Sequence, residues 1–215
     1  MRYSYTLLAP LYDLIVARAS RRWRQDSLAA LAQLPGGING KRILVAGIGS
    51  GLDIPDLPQG GHYAGIDITP AMLRRAQQRA VHCDRVIALE MGDVMALPYA
   101  DASFDAVVMH LIVAVVPDPA RALSEAARVL KPGGRIFILD KFLRPGQRAP
   151  LRRLLSPLLG RIATRTDVVF EHVLAAVSSL HVVSDIALNG GWFRRIVLEK
   201  ISGPDVAPRH YPRHY

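Results

Sequence analysis

Residues 43–51, Ile-Leu-Val-Ala-Gly-Ile-Gly-Ser-Gly, constrain this chain more than any other stretch. A β-branched apolar run, Ile43-Leu44-Val45, breaks into a loop with glycines at 47, 49 and 51. That pattern reads as a buried strand followed by a tight turn. Glycines in the turn let the backbone take positive φ and come close to a ligand. The loop alone says little more, because nucleotide-binding folds of several kinds use one. The continuation sharpens it. Asp67 closes the next apolar run, Tyr63-Ala64-Gly65-Ile66, sixteen residues after Gly51. A carboxylate at the C-terminal end of a second strand accepts both hydroxyls of a ribose. A plain glycine turn with an N-capping aspartate is the alternative, and the two features in register favour a cofactor site.

From Lys41 onward strand and helix patterns alternate. Strands are expected at 42–46, 62–67, 85–89, 105–110 and 134–140, and helices at 70–82 and 119–130. Thr69-Pro70 is an N-cap and first-turn signal. Lys131-Pro132-Gly133-Gly134 is a stop signal for the second helix. Pro55 and Pro58 leave room for little more than one helical turn before His62. Alternation of this kind predicts an α/β fold with a mainly parallel sheet and helices on both faces. Two helices precede the core, the first carrying Leu11, Leu14 and Ile15 and the second Trp23, Leu28, Leu31 and Leu34. After Phe142 the pattern changes. Residues 150–178 read as helical with a break near Thr164. Two strands then flank Asn189-Gly190-Gly191 and form a hairpin. The chain is thus one domain: lid helices in 1–35, a core in 41–142, a helical lid in 143–178, a hairpin in 179–201 and a flexible tail in 202–215.

The 215 residues suffice for one such domain, and half of them are hydrophobic, which excludes a disordered chain. No apolar run approaches the roughly 18 residues that span a bilayer. Residues 1–20 do not read as a signal peptide. With the single cysteine, Cys83, this fits a reducing cytoplasm. Net charge is +9. Its arginines cluster at Arg18, Arg21, Arg22 and Arg24 and again at Arg144, Arg148, Arg152 and Arg153. The patches read either as a solvated face or as a contact for an anionic surface. Leu151, Leu154, Leu155, Leu158 and Leu159 interleave with Arg152, Arg153 and Arg161, the pattern of an interfacial helix. That favours the inner face of a membrane over nucleic acid, for which no recognition module is present. His62, His172 and His181 lack the spacing of a metal site. Neither a Gly-x-Ser-x-Gly nucleophile elbow nor a triphosphate-binding loop occurs.

Three stretches, RILVAGIGSG, YAGIDITPAMLRRA and GDVMALPYADASFDAVVMH, together with PDPARALSEAARVLKPGGRIFILDKF, closely resemble the class I S-adenosylmethionine-dependent methyltransferases. The likeness covers residues 41–142. The segment LLAPLYDLIVARASRRWR resembles the opening helix of two bacterial branches, one methylating quinone precursors and the other phosphatidylethanolamine. The resemblance implies a Rossmann-like, seven-stranded sheet with an antiparallel last strand and helical lid elements. It implies S-adenosylmethionine as cofactor, with its methionine end and ribose along Gly47, Gly49 and Gly51 and the ribose hydroxyls on Asp67. Ile68 and Met95 would pack the adenine, Asp93 would accept its exocyclic amine and the Val94 N–H would meet a ring nitrogen. Tyr12 would close over the methionine end.

The chain departs from the family at Val45, where most members carry an acid that helps to hold the methionine end. Asp53, just past the loop, is the candidate substitute, or else water and backbone suffice. For the reacting centre, methyl transfer needs alignment first, and a base only when the nucleophile arrives protonated. His110, ending the fourth strand, is the candidate base, or else a histidine that hydrogen-bonds the lid. Asp140, ending the fifth strand, is a candidate to orient Lys141 or a substrate. The expected acceptor is an apolar or amphiphilic small molecule, quinone- or lipid-like. Two alternatives stand beside it: transfer of another group, such as an amino group, from the same cofactor, and a non-catalytic membrane-surface protein that retains the fold.

Overall fold

The computed structural model describes residues 20–143 and 168–202. Tyr12, the first expected helix, the arginine–leucine segment 151–161 and the tail beyond 202 lie outside the described residues. Within them, helix α1 covers residues 20–31. There follow β1 (Arg42–Ala46), β2 (His62–Asp67), α2 (Pro70–His82), β3 (Ala88–Met91), β4 (Phe104–His110) and α3 (Pro119–Val129). The rest comprises β5 (Leu130–Asp140), α4 (Phe170–Ala175), β6 (Leu180–Leu188) and β7 (Phe193–Lys200). They form one seven-stranded sheet in the order β3-β2-β1-β4-β5-β7-β6. β7 runs antiparallel to both of its neighbours, and the pairs among β1 to β5 are parallel. The order reverses between β1 and β4. In an open α/β sheet that reversal leaves a crevice beyond the strands' C-terminal ends.

Alternation along β1 explains why the sheet is covered on both faces. Leu44 and Ala46 face a core shared with Val107, Met109, Ile136 and Ile138, closed by α3 and α4. Ile43 and Val45 face a second core with Ala106, Val108 and Phe137, closed by α1 and α2. Leu28 and Leu31 of α1 are at most 1% exposed, each worth roughly 1.5–3 kcal/mol of burial. That exceeds the Arg195–Asp26 ion pair at 3.7 Å, whose Asp26 is half exposed and which contributes at most about 1 kcal/mol. Apolar packing, not surface charge, therefore holds α1 on the sheet.

Two expected boundaries shift. β3 begins at Ala88 instead of 85, because Arg85 is still closing α2. The Arg85 N–H donates to the Ala80 carbonyl at 2.9 Å and Asp84 takes φ +50°. β3 then pairs Ala64 with Ala88 and Asp67 with Met91, bringing both strand ends level. β5 begins at Leu130, before the Lys-Pro-Gly-Gly run expected to be a loop. Leu130 already pairs with Phe104, and the extra residues are absorbed by a register shift between Phe104 and Ala106. The proline-restricted segment after the glycine loop is a single 3-10 turn, Ile54–Asp56.

Asp140 closes β5 and is 2% exposed. One carboxylate oxygen accepts the Ala114 N–H at 2.9 Å and the other the Lys141 N–H at 2.8 Å. The side chain thus ties the loop after β4 to the end of β5. Burial pushes its pKa up to about 6, against the pull of the Ala114 and Lys141 N–H groups. Between the ordinary value of 3.8 and about 6, the folded chain holds more of this proton than the unfolded chain. Its contribution to stability therefore falls as pH rises through that window. Asp140→Asn removes the titration, and any lost hydrogen bond offsets stability equally at every pH. The variant's stability relative to the parent should thus climb between pH 4 and 6, by at most about 1.4 kcal/mol per pH unit. Urea unfolding of both proteins across that range checks this, and parallel curves would refute it.

Candidate active site

The crevice at the strand-order reversal is a cavity of about 730 Å³, within the range of small-molecule and cofactor sites. Its lining follows the sheet edge: Asp93, Val94 and Met95 after β3, Asp67 at the end of β2 with Ile68 after it, Gly47 and Gly49 after β1, and His110 at the end of β4. Asp53 lines it beside Arg24 of α1. Most of the sequence-expected residues thus meet in one place. Gly51 and Asp140 are not among the lining residues. Gly51 packs against Ile54 and Ala76, and Asp140 serves the loop described above.

Asp67 is buried at 9% exposure. One oxygen accepts the Gly49 N–H at 2.9 Å and the other the Thr69 N–H at 2.8 Å. Burial raises its pKa, with the Thr69 and Gly49 N–H groups opposing. The Gly47 and Ile48 N–H groups both donate to the Ile66 carbonyl, at 2.9 and 3.0 Å, so the glycine loop is fixed to β2 by backbone and by carboxylate. Gly49 has φ +56° and open space where a Cβ would stand. On the other side, an Asp93 oxygen accepts the Met95 N–H at 2.8 Å in a tight turn. Ile68 and Met91 are 53% and 64% exposed at the cavity mouth. These two apolar side chains suit a flat aromatic ring, and Met91 was not singled out from the sequence.

The β1–β4 end of the cavity is charged. An Asp53 oxygen accepts from Arg24 Nη1 at 2.8 Å, and the other oxygen meets His110 Nδ1 at 2.9 Å. His110 Nε2 lies 2.9 Å from Ser27 Oγ. Arg24 Nε donates to Ser20 Oγ at 3.2 Å. Burial would raise the Asp53 pKa, but the His110 and Arg24 charges and hydrogen bonds outweigh it and hold the carboxyl at about 2. Both His110 ring nitrogens therefore have partners, one of them on α1. Val45 is 2% exposed inside the core, so β1 itself brings no charge to this end.

The arginine cluster of the sequence divides here. Arg21 and Arg22 are exposed, whereas Arg24 is 3% exposed and faces inward. A signal for this existed: Arg24 shares with Leu28 and Leu31 the i, i+4, i+7 stripe that a helix buries. Ser27, on the same face, had no signal beyond that spacing.

The profile of the methyltransferase-domain family matches residues 44–138. A phosphatidylethanolamine N-methyltransferase of Cereibacter sphaeroides is 31% identical over 168 residues, covering 77% of this chain and 80% of that protein. A demethylmenaquinone methyltransferase of Deinococcus radiodurans is 33% identical over 184 residues, covering 82% and 69%. The chain belongs to the S-adenosylmethionine-dependent methyltransferase family. A solved arsenic(III) S-adenosylmethionine methyltransferase from Chlamydomonas reinhardtii superposes with a TM-score of 0.60 at 25% identity, covering 80% of this chain and 67% of that one.

The cavity of this methyltransferase fits the cofactor on its own geometry. Gly49 leaves the loop open to a ligand, Asp67 stands at the end of β2, and the exposed Ile68 and Met91 flank the mouth. Asp67→Ala should weaken S-adenosylmethionine binding by about 1.5–3 kcal/mol, the scale of hydrogen bonds to a charged group. Gly49→Val should abolish binding, because a β-branched residue at positive φ is strained and its side chain enters the cavity. Calorimetric titration of the folded variants checks both, and parental affinity in either removes that residue from the site.

Proposed function

We propose that this methyltransferase transfers a methyl group to an apolar or amphiphilic small molecule, quinone- or lipid-like. The observation that carries this reading is the loop after β4. Leu111, Ile112, Val115, Val116 and Pro117 all line the cavity, so the part of its wall that follows β4 is apolar. The names of the two curated relatives, one acting on phosphatidylethanolamine and one on demethylmenaquinone, support the same acceptor class. When bound, S-adenosylmethionine supplies a methyl carbon activated by positive sulfur. The chain's contribution is alignment. The glycine loop and Asp67 position the cofactor, the apolar wall holds the acceptor, and exclusion of water between them favours the displacement.

In this reading His110 is a positioning residue. It joins Asp53 to Ser27, and so joins the glycine-loop side of the site to α1. His110→Ala leaves an Asp53 oxygen and the Ser27 hydroxyl without this partner. Stability should fall by about 1–3 kcal/mol, while turnover per folded molecule keeps the parent's dependence on pH. A fall in turnover of roughly 10²–10⁴ with loss of the acid limb would make His110 the general base instead.

The acceptor class is tested with methyl-labelled S-adenosylmethionine and a fractionated bacterial extract. Label should enter the organic-solvent fraction together with release of S-adenosylhomocysteine. Label confined to water-soluble acceptors would overturn the proposal.

A further inference from the structure

We propose that Arg121 of α3, which is not among the residues lining the cavity, holds the Asp93 carboxylate in place from behind and thereby sets the preference for adenine over hypoxanthine in the cofactor. Arg121 is then a positioning residue that acts through the turn after β3. The inference rests on the cofactor reading of the cavity, with the base on its β3 side.

The turn belongs to a segment with little regular structure of its own. Residues 92–103 join β3 to β4 and carry one isolated bridge, Asp93 to Ala96. A loop that shapes a ligand site keeps its geometry when neighbouring elements support it. Here α3 does so with a charged stripe, Arg121, Glu125 and Arg128, at i, i+4 and i+7. Arg121 Nε donates to the Met95 carbonyl at 2.8 Å. Glu125 Oε2 accepts the Leu97 N–H at 2.8 Å. Arg128 donates from Nη2 to the Leu97 carbonyl at 2.9 Å and from Nη1 to the Tyr99 carbonyl at 2.8 Å. Glu125 and Arg128 also pair with each other through two bonds, at 2.8 and 2.9 Å, so they grip Leu97 as one unit.

Of these contacts, that of Arg121 reaches a cavity residue, Met95. The Met95 backbone is thus held twice, its carbonyl by Arg121 and its N–H by an Asp93 oxygen at 2.8 Å. The other Asp93 oxygen has no hydrogen bond among the described residues. Asp93 lines the cavity, so this oxygen is an acceptor left for a ligand N–H. Adenine offers an amine there, whereas hypoxanthine presents a carbonyl oxygen that cannot donate to a carboxylate. Such discrimination needs the acceptor placed to within about 0.5 Å. The Asp93–Met95 bond spans two residues and shapes the turn without fixing it to the sheet. Two outside contacts do that. The Gly92 N–H donates to the Asp67 carbonyl at 3.1 Å on the near side, and Arg121 holds the far side from a helix seated on the core through Ala122, Leu123 and Ala126.

S-adenosylhomocysteine and S-inosylhomocysteine differ only in the base, where a carbonyl replaces the amine. By calorimetry the parent should bind the adenine ligand about tenfold or more tightly. Arg121→Met places a methyl group where Nε stands, and the preference should shrink by about threefold or more. Arg121→Gln carries an amide nitrogen at the same bond distance along the side chain. It restores the donor without the charge and should keep the preference within about twofold of the parent's. A residue that only supports the fold would change stability, or both affinities by one factor, and leave the ratio as it was. Arg121 is exposed, and Arg121→Ala takes the place of Arg121→Met if the latter does not fold. An unchanged ratio in a folded variant without the donor overturns the inference. So does an Arg121→Gln ratio that falls as far as that of Arg121→Met, or equal binding of the two ligands by the parent. The cofactor reading survives each of these results. Failure of the parent to bind either ligand overturns the cofactor reading itself.

Discussion

The site depends on one buried carboxylate. Asp67 receives the Gly49 N–H and the Thr69 N–H on separate oxygens, at 2.9 and 2.8 Å, and its own carbonyl accepts the Gly92 N–H at 3.1 Å. Three connections, after β1, β2 and β3, thus converge on a single residue. Burying a charge of this kind is costly unless hydrogen bonds replace the lost water. The two N–H donors supply that replacement and, in doing so, fix the loop's shape. The parallel register carries Asp67 to the position where this is possible. β1 and β2 pair from Arg42–His62 to Ala46–Ile66, so β2 outlasts β1 by one residue just where the glycine loop turns away.

A second buried charge organises the other end. Arg24 and Asp53 lie 2.8 Å apart with side chains 4% and 9% exposed. Such a pair adds little net stability compared with apolar packing, but losing one partner strands the other, at about 3–5 kcal/mol. Its effect is geometric specification. Leu28 and Leu31 bury α1 against the sheet without direction. The contacts of Arg24 with Asp53 and of Ser27 with His110 are directional and join α1 to the glycine-loop side of the site and to the end of β4.

The sequence made the sheet legible because period-two apolar runs and glycine or proline stops mark parallel strands strongly. Two boundaries slipped for local reasons. Val86-Ile87 looks like a strand start, yet the cap of α2 consumes Arg85 and leaves Val86 96% exposed. Pro132-Gly133 looks like a loop, yet pairing of Leu130 with Phe104 draws it into β5. At the site, Gly47, Gly49, Asp67 and Asp93 were legible because they sit at strand ends in fixed register. Ser27 was not, because its partner His110 lies 83 residues away; Arg24 carried only the signal of its helix stripe, and nothing local marks its contact with Asp53, 29 residues on. Asp140 was read as orienting Lys141 or a substrate, and its carboxylate accepts the Lys141 N–H. A carboxylate at a strand end reads the same whether it meets a ligand or two backbone N–H groups, and only tertiary structure separates the two.

The apolar wall that follows β4 is set by backbone strain as much as by composition. β4 continues one hydrogen bond past His110, with the Leu111 N–H donating to the Leu139 carbonyl at 2.8 Å. Leu111 then turns the chain at φ +58°, a conformation that costs a non-glycine residue about 1–3 kcal/mol. The turn places Ile112 where a Cβ on Gly47 would stand, with Cγ1 at 2.4 Å. The first glycine of the loop is therefore required by the wall as well as by a ligand. Glycine there lets the wall close against the glycine loop. Strain at Leu111 persists because the Leu139 bond on one side and the Asp140 tie to Ala114 on the other leave the intervening residues little freedom. Asp140 thus shapes this apolar wall from outside the cavity, by fixing the far end of the loop that Leu111 begins.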